Sequence, residues 1–157
     1  MPHSPLTVRT ARSSDVPRLV SLLRRSWLVA WAPELPFEAV QAFAAHDPAR
    51  ALAETMWPSF TIAETSSELV GAIRVVEDVL EDLHVDPDAW GEGIGSRLLD
   101  EAERQIGRAY PVARLEVRAF NRRALNFYSR RGWIEAGRYP GTECGAPVEN
   151  VAMSKIL

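Results

Sequence analysis

Three glycines in the tract Trp90-Gly91-Glu92-Gly93-Ile94-Gly95-Ser96 stand just ahead of a segment with helical periodicity. Glycine lets backbone amides approach an anion with no side chain in the way. The free amides and the positive end of the following helix both favour negative charge, so the tract is a candidate diphosphate cradle that needs no lysine. Two familiar phosphate loops are excluded. A P-loop ends in Gly-Lys-Ser/Thr, whereas Gly95 is followed by Ser96 and Arg97. A dinucleotide fingerprint starts directly after its strand, whereas Asp86, Pro87, Asp88, Ala89 and Trp90 intervene after Val85.

A second group of reactive side chains lies just upstream. Residues 79–85 alternate as a strand, with Glu81 in the phase of Leu83 and Val85 and with Asp82 and His84 in the other. One face then carries a carboxylate, and the other a carboxylate and an imidazole; all three can take a proton. His3, His46 and Cys144 have neither metal-ligand spacing nor a nucleophilic partner in sequence, so no metal is expected.

The elements that must position these groups follow from periodicity. Residues 6–10 read as a first strand, and Ser13, Ser14 and Asp15 offer oxygens to cap a helix running to about Trp27. Its apolar stripe, Val16, Leu19, Val20, Leu23 and Trp27, recurs at spacings of three and four. Pro33 and Pro36 break the chain, and short helices are expected at 37–45 and 49–56. Strands at 59–64, 69–76 and 79–85, separated by residues 65–68 and by Glu77-Asp78, suggest an antiparallel meander. A helix over 93–107 carries Ile94, Leu98, Ala102 and Ile106 along one face, and 113–120 alternates as a strand. Asn121 caps a short helix that Gly132 ends; strands at 133–137 and 148–156 then flank a loop bearing glycine and proline. This order predicts one α+β domain, residues 1–157, with a mixed sheet.

Composition agrees. The 157 residues are 46% hydrophobic and 25% charged, which favours an ordinary globular domain over disorder. A net charge of −3 gives no overall pull towards nucleic acid, and Arg122, Arg123, Arg130 and Arg131 read as a solvated face. No apolar run approaches the ~20 residues that span a bilayer. One cysteine and no secretory signal make a cytoplasmic address the expectation.

With these residues in hand, Leu83-His84-Val85-Asp86-Pro87 followed by WGEGIGSRLL resembles the strand, coenzyme loop and helix of the GNAT superfamily of N-acetyltransferases. The block from Asn121 through Ala124, Phe127 and Tyr128 to Gly132 and Trp133 is similar to the family's Asn-x-x-Ala-x-x-Phe-Tyr-x-x-x-Gly-Phe helix. The opening Val8-Arg9-Thr10-Ala11 with Asp15 also looks like the family's. Trp90 departs from the usual Arg or Gln, and Glu92 stands where many relatives are basic. The resemblance implies a GNAT-like, mostly antiparallel central sheet flanked by helices.

It also implies acetyl-CoA as co-substrate and direct transfer, in a ternary complex, to a small-molecule amine or peptide. Coenzyme contacts are implied for Leu83, His84 and Val85, for Trp90, Gly91, Glu92, Gly93, Ile94, Gly95 and Ser96, and for Asn121 and Tyr128. Tyr128 matches the family's tyrosine, and a phenol of pKa near 10 stays protonated at neutrality and can donate to a leaving thiolate. Relatives often place a glutamate on the strand before the loop, which puts Glu81 first as base; Asp82, His84 and water stay open. The acceptor is expected to meet residues 27–57 and the loop 139–148. There Trp27, Trp31 and Phe37 are candidate apolar walls, and Glu34 or Glu38 would attract a cationic amine; core packing is the alternative for the tryptophans. A homodimer through an exposed sheet edge fits the habit of relatives. A catalytically weak coenzyme sensor, which Trp90 and Glu92 favour and Tyr128 opposes, and a ligand-free interaction domain are the rival classes.

Overall fold

The computed structural model describes residues 5–66 and 68–157. Seven strands form one sheet: β1 (Thr7–Thr10), β2 (Phe60–Glu64), β3 (Leu69–Val76), β4 (Val79–Val85), β5 (Val112–Arg118), β6 (Ile134–Glu143) and β7 (Ala146–Ile156). Their spatial order is β1-β2-β3-β4-β5-β7-β6, antiparallel throughout except for β4 beside β5. The helices are α1 (Val16–Ala30), α2 (Phe37–His46), α3 (Pro48–Met56), α4 (Ile94–Gly107) and α5 (Arg122–Ser129). The expected mixed, mostly antiparallel α+β architecture is therefore present. His3 lies outside the described residues, as does Ser67 of the expected turn.

Each face of the sheet buries its own core, as period-two alternation requires. On one face α1 lays Leu19, Val20, Leu23 and Trp27 against Phe60, Ile62 and Ala72. On the other, α4 lays Ile94, Leu98, Leu99, Ala102 and Ile106 against Ala63, Ile73, Leu115 and Val117. Leu98 and Ala102 are fully buried, so the helix that starts at the glycine tract is held rigidly against the strands.

Three sequence expectations need correction. Asp15 precedes α1 but its side chain does not cap that helix. It turns back to accept from the Arg12 amide at 2.7 Å, and it is clamped by Arg9 and Arg18, each at 2.8 Å. Helix α1 continues to Ala30, with Trp31 as its C-cap. The expected loop between the last two strands is instead a long hairpin, with Glu143 opposite Ala146. Cys144 (φ 48°) and Gly145 (φ 84°) make its two-residue turn, whose left-handed pair matches the twist of the strands. Pro140 sits on the edge strand β6, and Pro147 lies past the last β5–β7 pair at Asn150, so each has an open side that tolerates a missing donor.

Candidate active site

Strands β4 and β5 pair at Val79 with Arg114 and at Leu80 with Leu115, and then part. Beyond Leu80, β5 is bonded to β7 and β4 to β3. The β4 backbone from Glu81 to Val85 therefore presents an unpaired edge to the gap, the kind of edge that an extended ligand can join as an added strand. The gap opens into a cleft of about 1020 Å³, walled by both strands, the glycine tract, α5 and the end of α1.

A bulge decides which β4 side chains face which wall. The β3–β4 register passes from Val75 opposite Leu80 to Arg74 opposite Asp82, leaving Glu81 unopposed. Simple alternation does not carry across it: Leu80, Leu83 and Val85 all pack on the α4 side. Glu81 itself is exposed and lines the cleft. On the α1 side, Arg74 Nε donates to Asp82 Oδ2 at 2.7 Å, and His84 Nε2 lies 3.5 Å from Asp82 Oδ1. His84 Nδ1 is 2.8 Å from Ser26 Oγ of α1. Burial pushes the Asp82 carboxyl up, but its bonds to His84 and Arg74 outweigh that, and its net position is below the usual carboxylate range.

The glycine tract closes one end of the cleft. Gly91 (φ 83°) and Gly93 (φ 82°) take left-handed conformations, and a Cβ at either would meet no atom within 4 Å. At these two positions the tract is open and bears no side chain. The first backbone bond of α4 runs from the Arg97 amide to the Gly93 carbonyl at 3.1 Å, which leaves the amides of Ile94, Gly95 and Ser96 without intrahelical acceptors. Glu92 is exposed, between the two glycines. Trp90 folds back on its strand: its Nε1 donates to the Val85 carbonyl at 3.1 Å, and Arg123 stacks 3.6 Å above its ring. Arg131 donates to Ser96 Oγ and lies 4.2 Å over Phe127.

Three of the four arginines read as a solvated face, Arg123, Arg130 and Arg131, line this cleft. Among the described residues no carboxylate pairs with any of them. They supply the positive charge that the tract itself lacks. Their nearness in sequence to Phe127 and Tyr128 was the available signal.

At the base of the cleft, Asn121 Oδ1 accepts from the Ala124 amide at 3.2 Å, so the side chain caps α5 as expected. Tyr128 lines the cleft but is only 8% exposed, held edge-on between Phe127 (5.2 Å) and Trp133 (5.9 Å). Burial, with the Asp82 carboxylate adding to it, pushes its phenol well above the ordinary value.

The expected acceptor residues separate. Trp31 lines the cleft, edge-on to Phe120 at 6.3 Å and under Arg118 at 5.6 Å. Trp27 instead lies in the α1 core, stacked on Phe43 at 3.8 Å, with Nε1 donating to Glu143 Oε1 at 3.0 Å. Phe37 is 70% exposed and is not among the cleft residues. Arg118 was not foreseen. It spans the site by donating to Glu116 (2.8 Å), Glu143 (2.9 Å) and Asn150, and its buried Nε has no partner among the described residues.

Residues 16–133 match the profile of the Acetyltransferase (GNAT) family, and the chain belongs to that family of N-acetyltransferases. A curated relative, the peptidyl-lysine N-acetyltransferase YjaB of Salmonella typhimurium, is 26% identical over 149 residues, covering 90% of this chain and 92% of the relative. The fold is shared with a GCN5-related N-acetyltransferase from Rhodopseudomonas palustris (TM-score 0.85, 23% identity, 100% of this chain and 99% of that one). It is shared too with the PaiA N-acetyltransferase of Thermoplasma acidophilum, solved with coenzyme A (TM-score 0.79, 20% identity, 98% and 99% covered). No helix among the described residues is long and apolar enough to cross a membrane. No cluster of His, Cys, Asp or Glu among them could hold a metal ion.

Proposed function

We propose that the protein transfers an acetyl group from acetyl-CoA directly to a primary amine bound in the same cleft. The unpaired β4 edge running into the glycine-flanked N-terminus of α4 carries this reading. Backbone groups of Leu83 to Val85 would pair with the extended arm of the coenzyme and supply a donor for the developing oxyanion. The free amides of Ile94, Gly95 and Ser96 would hold its diphosphate, with Arg123, Arg130 and Arg131 adding the cationic charge that Trp90 and Glu92 do not provide. Asn121 fixes the start of α5, and so the place of Tyr128.

Tyr128 is the acid. Its raised pKa keeps the proton on the phenol at neutrality, ready for a departing thiolate. Glu81, Asp82 and His84 are the β4 side chains in the cleft that can take part in moving the amine proton, and Glu81 meets solvent directly. Trp31 and Tyr139 stand on the acceptor side with Ser26. The activity of the curated relative makes a lysine-bearing peptide the first acceptor to try. The test is an amine panel, headed by that peptide, incubated with acetyl-CoA and followed by thiol release. Release that depends on one of the amines is expected; coenzyme binding without release from any of them would favour a sensor.

A further inference from the structure

Ser26, His84, Asp82 and Arg74 stand in one line along the α1 wall of the cleft: hydrogen bonds join Ser26 to His84 and Arg74 to Asp82, a 3.5 Å contact joins His84 to Asp82, and all four line the cleft. Alternation along β4 beyond the bulge produces this arrangement. It puts Leu83 and Val85 on the α4 side and turns the alternate pair, Asp82 and His84, towards α1, where helix spacing places Ser26 one turn after Leu22 and Leu23 of the buried stripe. Its chemistry resembles a serine-histidine-aspartate triad with the two ring nitrogens exchanged.

An ionised carboxylate only accepts, so a neutral His84 ring whose Nε2 faces Asp82 Oδ1 at 3.5 Å would carry its N–H on that nitrogen. Nδ1 would then be the lone pair that takes the Ser26 hydroxyl proton across 2.8 Å. What remains at the cleft end of the line is the Ser26 oxygen, with lone pairs free to accept.

We propose that Ser26, His84 and Asp82 are the route by which the acceptor amine loses its proton, an inference that rests on the acetyltransfer reading above. The ammonium donates to Ser26 Oγ. As its N–H bond breaks, that proton passes to Ser26 and Ser26 hands its own to His84 Nδ1; the electron pair stays on the amine nitrogen for attack. The products are a neutral amine, a neutral hydroxyl and an imidazolium that Asp82 stabilises. Imidazole is the side chain whose intrinsic basicity suits transfers near neutrality. Ser26 touches the substrate, whereas Asp82 and Arg74 act through His84 as positioning residues.

The charges around the ring set its surroundings. Asp82 and Arg74 face it along the sheet. On α1, Arg25 is taken up by Asp86 (2.9 Å) and Asp88 (2.8 Å). Across the cleft stand the paired Glu116 and Arg118 of β5, and Tyr128 of α5.

Two readouts test the relay, with acetyl-CoA and the lysine-bearing peptide as probes. Nitrogen-15 NMR of the wild type should show His84 as the Nε2–H form at neutral pH, and Ser26→Ala should shift Nδ1; the Nδ1–H form, or an unmoved Nδ1, would overturn the proposal. In kinetics, S26A and H84Q should lower kcat roughly 100-fold with the KM for acetyl-CoA unchanged. Their rates should keep climbing with pH past the wild-type plateau, because solution then has to deprotonate the amine. H46Q, altered at the exposed end of α2, should keep the wild-type profile. Wild-type transfer that S26A and H84Q retain in full overturns the relay alone, whereas no wild-type transfer to any amine of the panel overturns the acetyltransfer reading with it.

Discussion

Replacing Gly93 with alanine separates the cost to the fold from the cost to the ligand. At φ 82° an alanine pays the left-handed penalty, about 1–2 kcal/mol, yet its Cβ meets nothing within 4 Å. A domain of this size loses roughly 2–4 °C in Tm per kcal/mol, so Gly93→Ala should melt about 2–8 °C early and fold normally. Coenzyme affinity should fall much further. The new methyl group would stand where a diphosphate approaches the amides of Ile94 to Ser96, and a hydrogen bond to a charged group contributes about 1.5–3 kcal/mol. Losing one such bond raises Kd roughly 10- to 150-fold. Gly137→Ala is the control, since that glycine has an ordinary φ and open space around it. Calorimetry with acetyl-CoA, paired with a melting curve, reads both quantities. A G93A protein that melts early but binds acetyl-CoA like wild type would refute the assignment of this loop as the diphosphate site.

Other outcomes follow from the same geometry. Tyr128→Phe should lower turnover roughly 10²–10⁴-fold while calorimetry shows coenzyme affinity little changed. Arg123→Gln combined with Arg130→Gln should raise the Kd for acetyl-CoA about threefold or more at low salt, and titration in ~1 M salt should shrink the difference, because these exposed cations act through screened charge. Asp15→Asn breaks a buried ion-pair cluster and should cost about 3 kcal/mol, since Arg9 keeps Glu64; Tm should fall roughly 6–12 °C. The Arg9 bond holds the Asp15 carboxyl well below its ordinary range, so its stabilisation is complete above the unfolded value of about 3.9 and is lost as pH falls through the native one. The melting gap between wild type and D15N should therefore narrow in strong acid; a gap that stays constant would contradict the ion-pair account.

Much of the scaffold was legible because its signals are local. Glycines before Ile94, the four-residue recurrence through Ile106, and Asn121 capping α5 each need only neighbouring residues to be read. The resemblance supplied the order in which such blocks meet in space. What escaped the reading is tertiary. The bulge at Glu81 is set against the partner strand β3, and it brings Leu80 onto the same wall as Leu83 and Val85. The β6–β7 hairpin hides behind Pro140 and Pro147, which look like loop residues until the open side of each strand is known. Trp27 and Trp31 sit four residues apart on or beside one helix, yet Phe43 takes the first into the core and the turn after Ala30 leaves the second in the cleft. Ser26 is separated from His84 by 58 positions, and nothing in either local sequence announces their 2.8 Å contact.

The central claim, direct transfer between two ligands held in one cleft, is tested most directly by intact-mass spectrometry under two conditions. With acetyl-CoA alone the protein should keep its unmodified mass, and on adding the lysine-bearing peptide the peptide should gain an acetyl group as free thiol accumulates in equal amount. An acetyl adduct that forms on the protein with acetyl-CoA alone, at Ser26 or Cys144 for example, and then disappears as the peptide is acetylated would contradict direct transfer.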